Sequence, residues 1–356
     1  MSMTRQVSVL IVDDSAFMRK LITDLLSEST RIKVIGTARN GREAVKKVIE
    51  FKPDVVTMDV EMPIMNGLDA LQEMMKRAPV PVVMLSSTTQ ENAANTMIAM
   101  QNGAVDFIAK PSGAISLDLH KVKEELIYKV ITASKANILG VHKNPSQENI
   151  TPITLKDSIR HPMKYKQKII CIGTSTGGPR ALQNVLTKLP SSIDAPILIV
   201  QHMPAGFTKS LADRLDSLSQ ISVKEAVDGD IIKKGTAYIA PGGYHLKLKL
   251  IGTSLVVQLN DDPPKNGHRP SVDVMYESVS YLQNYFKLAV IMTGMGTDGA
   301  KGLHKLVDTG SVKAIAESKE SSVVYGMPKA AVDTGLIDEV AHVDNIANLI
   351  IKHIGA

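Results

Sequence analysis

Apolar and polar positions in the first third of the chain switch repeatedly between two periods. Five short apolar runs, VSVLIVDD (7–14), IKVIGTA (32–38), DVVTMDV (54–60), VPVVMLSS (80–87) and DFIAKP (106–111), are continuous enough for strands covered on both faces. Between them the spacing turns to that of amphipathic helices: SAFMRKLITDLLSES with Ser15 as N-cap, then 41–51, 67–77 and 91–102, with a further helix over 117–137. Strict alternation of strand and helix predicts a parallel sheet covered by helices. Residues 142–167, HKNPSQENITPITLKDSIRHPMKYKQ, are polar, hold three prolines and show neither period, so they read as an interdomain linker. Alternation then resumes through KIICIG, PILIVQ, GTAYIAPG, LKLKLIGTSLVVQL, LAVIMTG and SVKAIAE. The turn inside LKLKLIGTSLVVQL predicts a hairpin, and the second sheet is therefore expected to be mixed. The result is two α/β domains, 1–138 and 167–356, joined by a linker over 139–166.

Composition changes this picture little. A length of 356 residues is more than one core usually holds, and 44% hydrophobic with 22% charged residues describes an ordinary globular chain. No apolar run reaches the roughly 18 residues of a bilayer span, and the opening MSMTRQVSVLIVDD lacks a secretory signal pattern. No membrane insertion is expected. The single cysteine, Cys171, excludes an internal disulfide framework, fits a reducing cytoplasm and sits in an apolar run as core. A net charge of +5 is spread over both halves, and aromatics are 4% with no tryptophan, so no nucleic-acid footprint is visible.

The chemistry concentrates at strand ends, where ligands bind in open parallel sheets. Asp13 and Asp14 end the first strand, Asp59 the third, Ser86 and Ser87 the fourth, and Lys110 the fifth. Each aspartate alone could be a helix cap. Three carboxylates together repel unless a divalent cation neutralises them, and a lysine beside them can steady a transferred phosphoryl group. The set reads as a phospho-acceptor aspartate with a Mg²⁺ site and a hydroxyl switch. With VDD, MDVEMPIMNGL and AKP in this order, the segment resembles the receiver domain of bacterial response regulators. That resemblance implies a flavodoxin-like, five-stranded fold and phosphorylation of Asp59. It also implies Mg²⁺ held by Asp14, Asp59 and the backbone carbonyl of Glu61, with Asp13 beside them. Ser86 and Phe107 fall at the switch positions, with Lys110 beside them.

The second half opens on KIICIGTSTGGPRAL (168–182). A phosphate-binding P-loop needs a lysine after its glycines, and a dinucleotide loop needs G-x-G-x-x-G; neither is present. Gly173 to Gly177, GTSTG, matches the spacing of a nucleophile elbow around Ser175, although a serine-rich helix cap would look similar. A serine hydroxyl needs an imidazole to take its proton and a carboxylate to orient that imidazole. Among the histidines, His245 lies on a strand, His268 in a loop, and His304, His342 and His353 in helical segments. Only His202, in ILIVQHMPAGF, follows an apolar strand as Ser175 does, and Asp298, in VIMTGMGTDGAKG, follows another. Three strand ends thus deliver serine, histidine and aspartate to one rim.

GTSTGGPRAL, QHMPAGFT, IAPGG, HRPSVD and TGMGTDGAKG closely resemble the catalytic domain of the chemotaxis protein-glutamate methylesterase family, CheB, in which receiver, linker and esterase occur in this order. The resemblance implies a doubly wound α/β hydrolase domain with a mainly parallel sheet and a hairpin. It implies Ser175 as nucleophile, His202 as general base and acid, Asp298 as orienter and the Met295 amide as oxyanion donor. Elbow geometry adds the Thr176 amide. HRPSVD and IAPGG are expected to line the substrate groove, where His268, Arg269 and Asp273 are weighed evenly against loop-bracing ion pairs. The implied substrates are glutamate methyl esters, and specific glutamines, on the cytoplasmic helices of chemoreceptors, and a chemotaxis histidine kinase is the implied phosphodonor. Hydrolysis needs no cofactor; Mg²⁺ serves only the receiver. The tether suggests that the unphosphorylated receiver covers the Ser175 rim. The alternative is a response regulator with a non-catalytic or DNA-binding output domain, but residues 168–356 show β/α units rather than a basic recognition helix.

Overall fold

The computed structural model describes residues 5–87, 89–110, 118–138 and 167–355. The chain divides into two compact units, Met1–His142 and Lys143–Ala356. The expected linker, 139–166, and Pro111 lie outside the described residues.

In the first unit, β1 (Val7–Val12), β2 (Ile32–Ala38), β3 (Val55–Asp59), β4 (Val82–Ser86) and β5 (Asp106–Ala109) alternate with α1 (Ala16–Ser27), α2 (Gly41–Phe51), α3 (Gly67–Arg77), α4 (Gln90–Gln101) and α5 (Asp118–Ala133). The strands pair in parallel in the order β2-β1-β3-β4-β5. β3 and β4 are buried along their whole length, which explains their unbroken apolar sequence. Ser15, Asn40 and Asn66 cap α1, α2 and α3 through their side chains. A Cβ on Gly67 would lie 2.0 Å from the Asp59 carbonyl oxygen, so only glycine lets α3 start directly behind the end of β3.

In the second unit, β6 (Gln167–Thr174), β7 (Ile197–Gln201), β8 (Ser222–Glu225), β9 (Thr236–Ile239), β12 (Tyr285–Ile291), β13 (Val312–Glu317) and β14 (Glu339–Ala341) form one sheet, ordered β14-β13-β12-β6-β7-β9-β8. All its pairings are parallel. The expected mixed sheet is corrected here, because β10 (His245–Ile251) and β11 (Ser254–Asn260) form a separate antiparallel sheet, to which Ile231 adds one isolated bridge at Val256. α6 (Gly178–Leu186), α7 (Phe207–Leu218), α8 (Val272–Ser280), α9 (Ala300–Asp308), α10 (Met327–Asp333) and α11 (Val343–Ile354) complete the unit. Its core joins strand residues such as Cys171, Val200 and Ile291 to Met275, Tyr276 and Leu303 of the helices. Each fully buried side chain of this size contributes about 1.5–3 kcal/mol. Cys171 is core as expected, and burial raises its thiol far above the ordinary range. Among the described residues no helix is long and apolar enough to cross a membrane.

Candidate active site

β6 and β7 are neighbours whose register pairs Thr174 with Gln201, so the next residues, Ser175 and His202, leave the sheet side by side. The His202 amide continues that ladder by donating to the Thr174 carbonyl at 3.2 Å. β12 flanks β6 on the other side, and the loop after it carries Asp298. His202 Nε2 donates to Asp298 Oδ2 at 2.8 Å, with both side chains buried. His202 Nδ1 is buried and makes no hydrogen bond, to Ser175 or to any other described residue. With Nε2 committed to the carboxylate, Nδ1 carries the lone pair and is the available base.

Asp298 is built as an anion site. Its carboxylate accepts the Ser271 hydroxyl at 2.8 Å and the amides of Val272 and Asp273 at 2.7 and 3.1 Å, the first N–H groups of α8. Burial alone would push its pKa up, but His202, Val272 and Ser271 outweigh burial and hold it at about 2. Asp273 is fully buried and accepts the amides of Gly299 and Gly302 at 2.9 and 2.6 Å. It therefore braces the loop that presents Asp298, which is the bracing alternative rather than the groove lining, made through backbone amides instead of an ion pair. Arg269 likewise donates to the carbonyls of Asp261 and Asp262. The His268 ring stacks on His202, with centroids 3.9 Å apart and planes 7° apart.

The elbow is held from both sides. Gly177 adopts φ +78°, whereas Ser175 is not among the described residues of positive φ, so the turn is made two residues past Ser175. Gln201 was not anticipated. Its buried amide donates to the Ser175 carbonyl at 3.0 Å and the His202 carbonyl at 3.2 Å, and accepts from Thr174 Oγ1 at 2.7 Å. A Cβ on Gly178 would meet that amide at 1.9 Å, which explains the second glycine of the loop. Thr293 accepts the Ser175 amide at 3.0 Å through its carbonyl and donates its hydroxyl to the Thr176 carbonyl at 2.9 Å. The half-buried Met295 follows two residues later.

In the first unit, oxygens of Asp13, Asp14 and Asp59 lie within 4.8 Å of one another. Lys110 Nζ bridges Asp13 Oδ2 at 2.9 Å and Asp59 Oδ2 at 2.7 Å. Burial raises the Asp59 pKa, with Lys110 pulling against it and Asp13 adding to it. A hard divalent cation suits this all-oxygen cluster and would relieve that repulsion. Glu61 lies in the exposed loop two residues past Asp59. Ser86 is buried, and its hydroxyl accepts from Thr96 Oγ1 at 2.8 Å, toward α4. Phe107 is buried too, with Lys129 Nζ 5.2 Å from its ring centroid.

Residues 170–350 match the family model described as CheB methylesterase, and residues 9–120 match that of the response regulator receiver domain. A protein-glutamate methylesterase/protein-glutamine glutaminase of Geobacillus kaustophilus is 55% identical over 351 residues, covering 99% of each chain. The Bacillus subtilis protein of the same name is 52% identical, covering 96% of each. The crystal structure of the Thermotoga maritima CheB methylesterase catalytic domain is 45% identical with a TM-score of 0.51, covering 53% of this chain and 99% of that one.

Proposed function

The chain belongs to the CheB methylesterase family, with a receiver domain in the same polypeptide, and from that premise we propose that it hydrolyses glutamate γ-methyl esters, and deamidates specific glutamines, on chemoreceptors. The observation that carries this reading is the buried Asp298–His202 pair at the strand end beside Ser175. Ser175 Oγ attacks the ester carbonyl while His202 Nδ1 takes its proton, and Asp298 stabilises the imidazolium. The amides of Met295 and Thr176 hold the oxyanion. His202 returns the proton to the leaving methoxide, or to the amide nitrogen as ammonia departs, and water then releases the glutamate. Besides water, this sequence uses only protein groups.

The receiver at 1–138 controls the hydrolase at 167–356 through the linker, 139–166. Asp59 accepts the phosphoryl group from a chemotaxis histidine kinase. Asp14, Asp59 and the Glu61 carbonyl, with Asp13 nearby, would hold Mg²⁺, which neutralises phosphoryl charge when bound. Lys110, Ser86 and Phe107 sense the product. Phosphorylation adds about −1.5 to −2 charge and raises activity. A chemoreceptor's cytoplasmic helices as substrate place the reaction in the cytoplasm. The α/β fold of the second unit and the family match favour this reading over a DNA-binding output.

Methanol release from methylated receptor, with and without a small phosphodonor, tests both halves. Ser175→Ala should lower turnover by about 10⁴-fold or more while Asp59 is still phosphorylated; retained turnover would end the serine mechanism. Asp59→Asn should abolish the response to phosphodonor. A full response in that variant would refute control by Asp59.

A further inference from the structure

We infer that Glu317 is a positioning residue for Ser175, acting through Thr293; the inference rests on the serine-hydrolase reading above. Glu317 ends β13, two strands from β6 in the sheet, and is 1% exposed. Its Oε2 accepts the Thr293 amide at 2.7 Å. Its Oε1 accepts the Ser321 hydroxyl at 2.9 Å, and Ser321 Oγ in turn accepts the Val343 amide at 3.0 Å, at the start of α11. Besides the amide that Glu317 accepts, Thr293 grips the elbow through its carbonyl, on the Ser175 amide, and its hydroxyl, on the Thr176 carbonyl; the hydroxyl also accepts the Val324 amide at 3.0 Å. A Cβ on Gly294 would lie 2.7 Å from Ser175 Cβ, so Gly294, which joins Thr293 to Met295, lies close against Ser175. Gln201 holds the elbow from β7, and Glu317 holds it from β13.

The alternative is a carboxyl that merely fills space. A buried carboxyl is costly, and none of the ion pairs among the described residues involves Glu317. Burial raises its pKa to about 7, with Asp344 adding to the rise and the bonds from Thr293 and Ser321 opposing it. What it supplies is an acceptor of fixed direction to one backbone amide, and that direction decides where residues 293–295 stand.

The test uses the full chain treated with phosphodonor, reading methanol release and the rate at which a fluorophosphonate probe labels Ser175. Glu317→Leu should lower kcat and the labelling rate about tenfold to 100-fold with KM unchanged, the size of effect a misplaced reacting group produces. Glu317→Gln keeps an oxygen for the Thr293 amide and should restore most of that loss. Ser321→Ala, which frees the other carboxylate oxygen, should give a smaller loss of the same kind, and it decides the matter if the leucine variant melts at assay temperature. Wild-type kcat in the leucine and Ser321 variants, a raised KM in place of a lowered kcat, or a glutamine variant as poor as leucine would each overturn the inference alone. Labelling that survives Ser175→Ala would overturn the serine reading, and this inference with it.

Discussion

Asp59 and Asp298 are two buried aspartates at the carboxyl-terminal rims of two parallel sheets, yet their surroundings drive them in opposite directions. Asp59 has one lysine for company and a second carboxylate, Asp13, sharing it, so burial prevails and its pKa rises. Asp298 is still more deeply buried, but two helix-terminal amides, a hydroxyl and an imidazole converge on it, and its pKa falls to about 2. Burial alone therefore says little about a carboxylate's role; its donors decide. The first arrangement leaves an acid short of positive charge, ready for a cation and a phosphoryl group. The second leaves an acid fully satisfied, suited to orienting a neighbour.

The comparison can be broken most sharply at Asp298. Asp298→Asn keeps the shape but presents an amide where His202 needs an acceptor, so kcat should fall about a thousandfold or more. Methanol release within tenfold of wild type would mean that the donors around Asp298 are only structural. A smaller effect concerns acid stability. The folded-state pKa of Asp298 lies below its ordinary value of 3.8, at about 2. The unfolded chain therefore takes the proton first, and the contribution is present above about pH 4 and lost as pH falls through about 2. At about 1.4 kcal/mol per pH unit this is about 2 kcal/mol, absent in Asp298→Asn. Circular dichroism against pH on both proteins would read it, and parallel curves would contradict it. Glu317 should slope the other way, because its folded-state pKa is raised from 4.5 to about 7. Its contribution is full below about pH 4.5 and declines through about pH 7. The smallest expected effect is at Gln201. Gln201→Leu strips one donor from the Ser175 and His202 carbonyls and should cost about tenfold in kcat, the worth of one hydrogen bond; an unchanged rate would show that strand register alone positions the pair.

Much of this was legible in the sequence wherever a residue's place depends on the run it terminates. The strands of the first sheet announced themselves as unbroken apolar stretches, and the aspartates, Lys110, Ser175 and His202 sit at the ends of such stretches. β14 and β8 were not legible, since EVA and SVKE lack the three consecutive apolar residues that reveal the equally short β5 and β9. The hairpin could be seen, but not its separation from the main sheet, because pairing partners are absent from a strand's own pattern. Gln201, Thr293 and Glu317 escaped notice for a related reason: each reaches across strands, and sequence does not say where a side chain ends. A polar residue closing a buried strand, as Gln201 closes ILIVQ, was one available signal. Ser271 and Asp273, in the cap-like SVD, offered another, and they support Asp298 instead of lining a groove.

That His202 meets its carboxylate through Nε2 has a consequence for how the nucleophile is reached. The nitrogen left over is bonded to the ring carbon nearest the main chain, so the lever arm between backbone and base is short and nearly rigid. Little tolerance remains for a side chain to compensate if one strand creeps along its neighbour. In the proposed mechanism, catalytic distance is thus a mechanical property of how two adjacent strands are clamped together, and slippage there would silence the enzyme with every reacting group still in place.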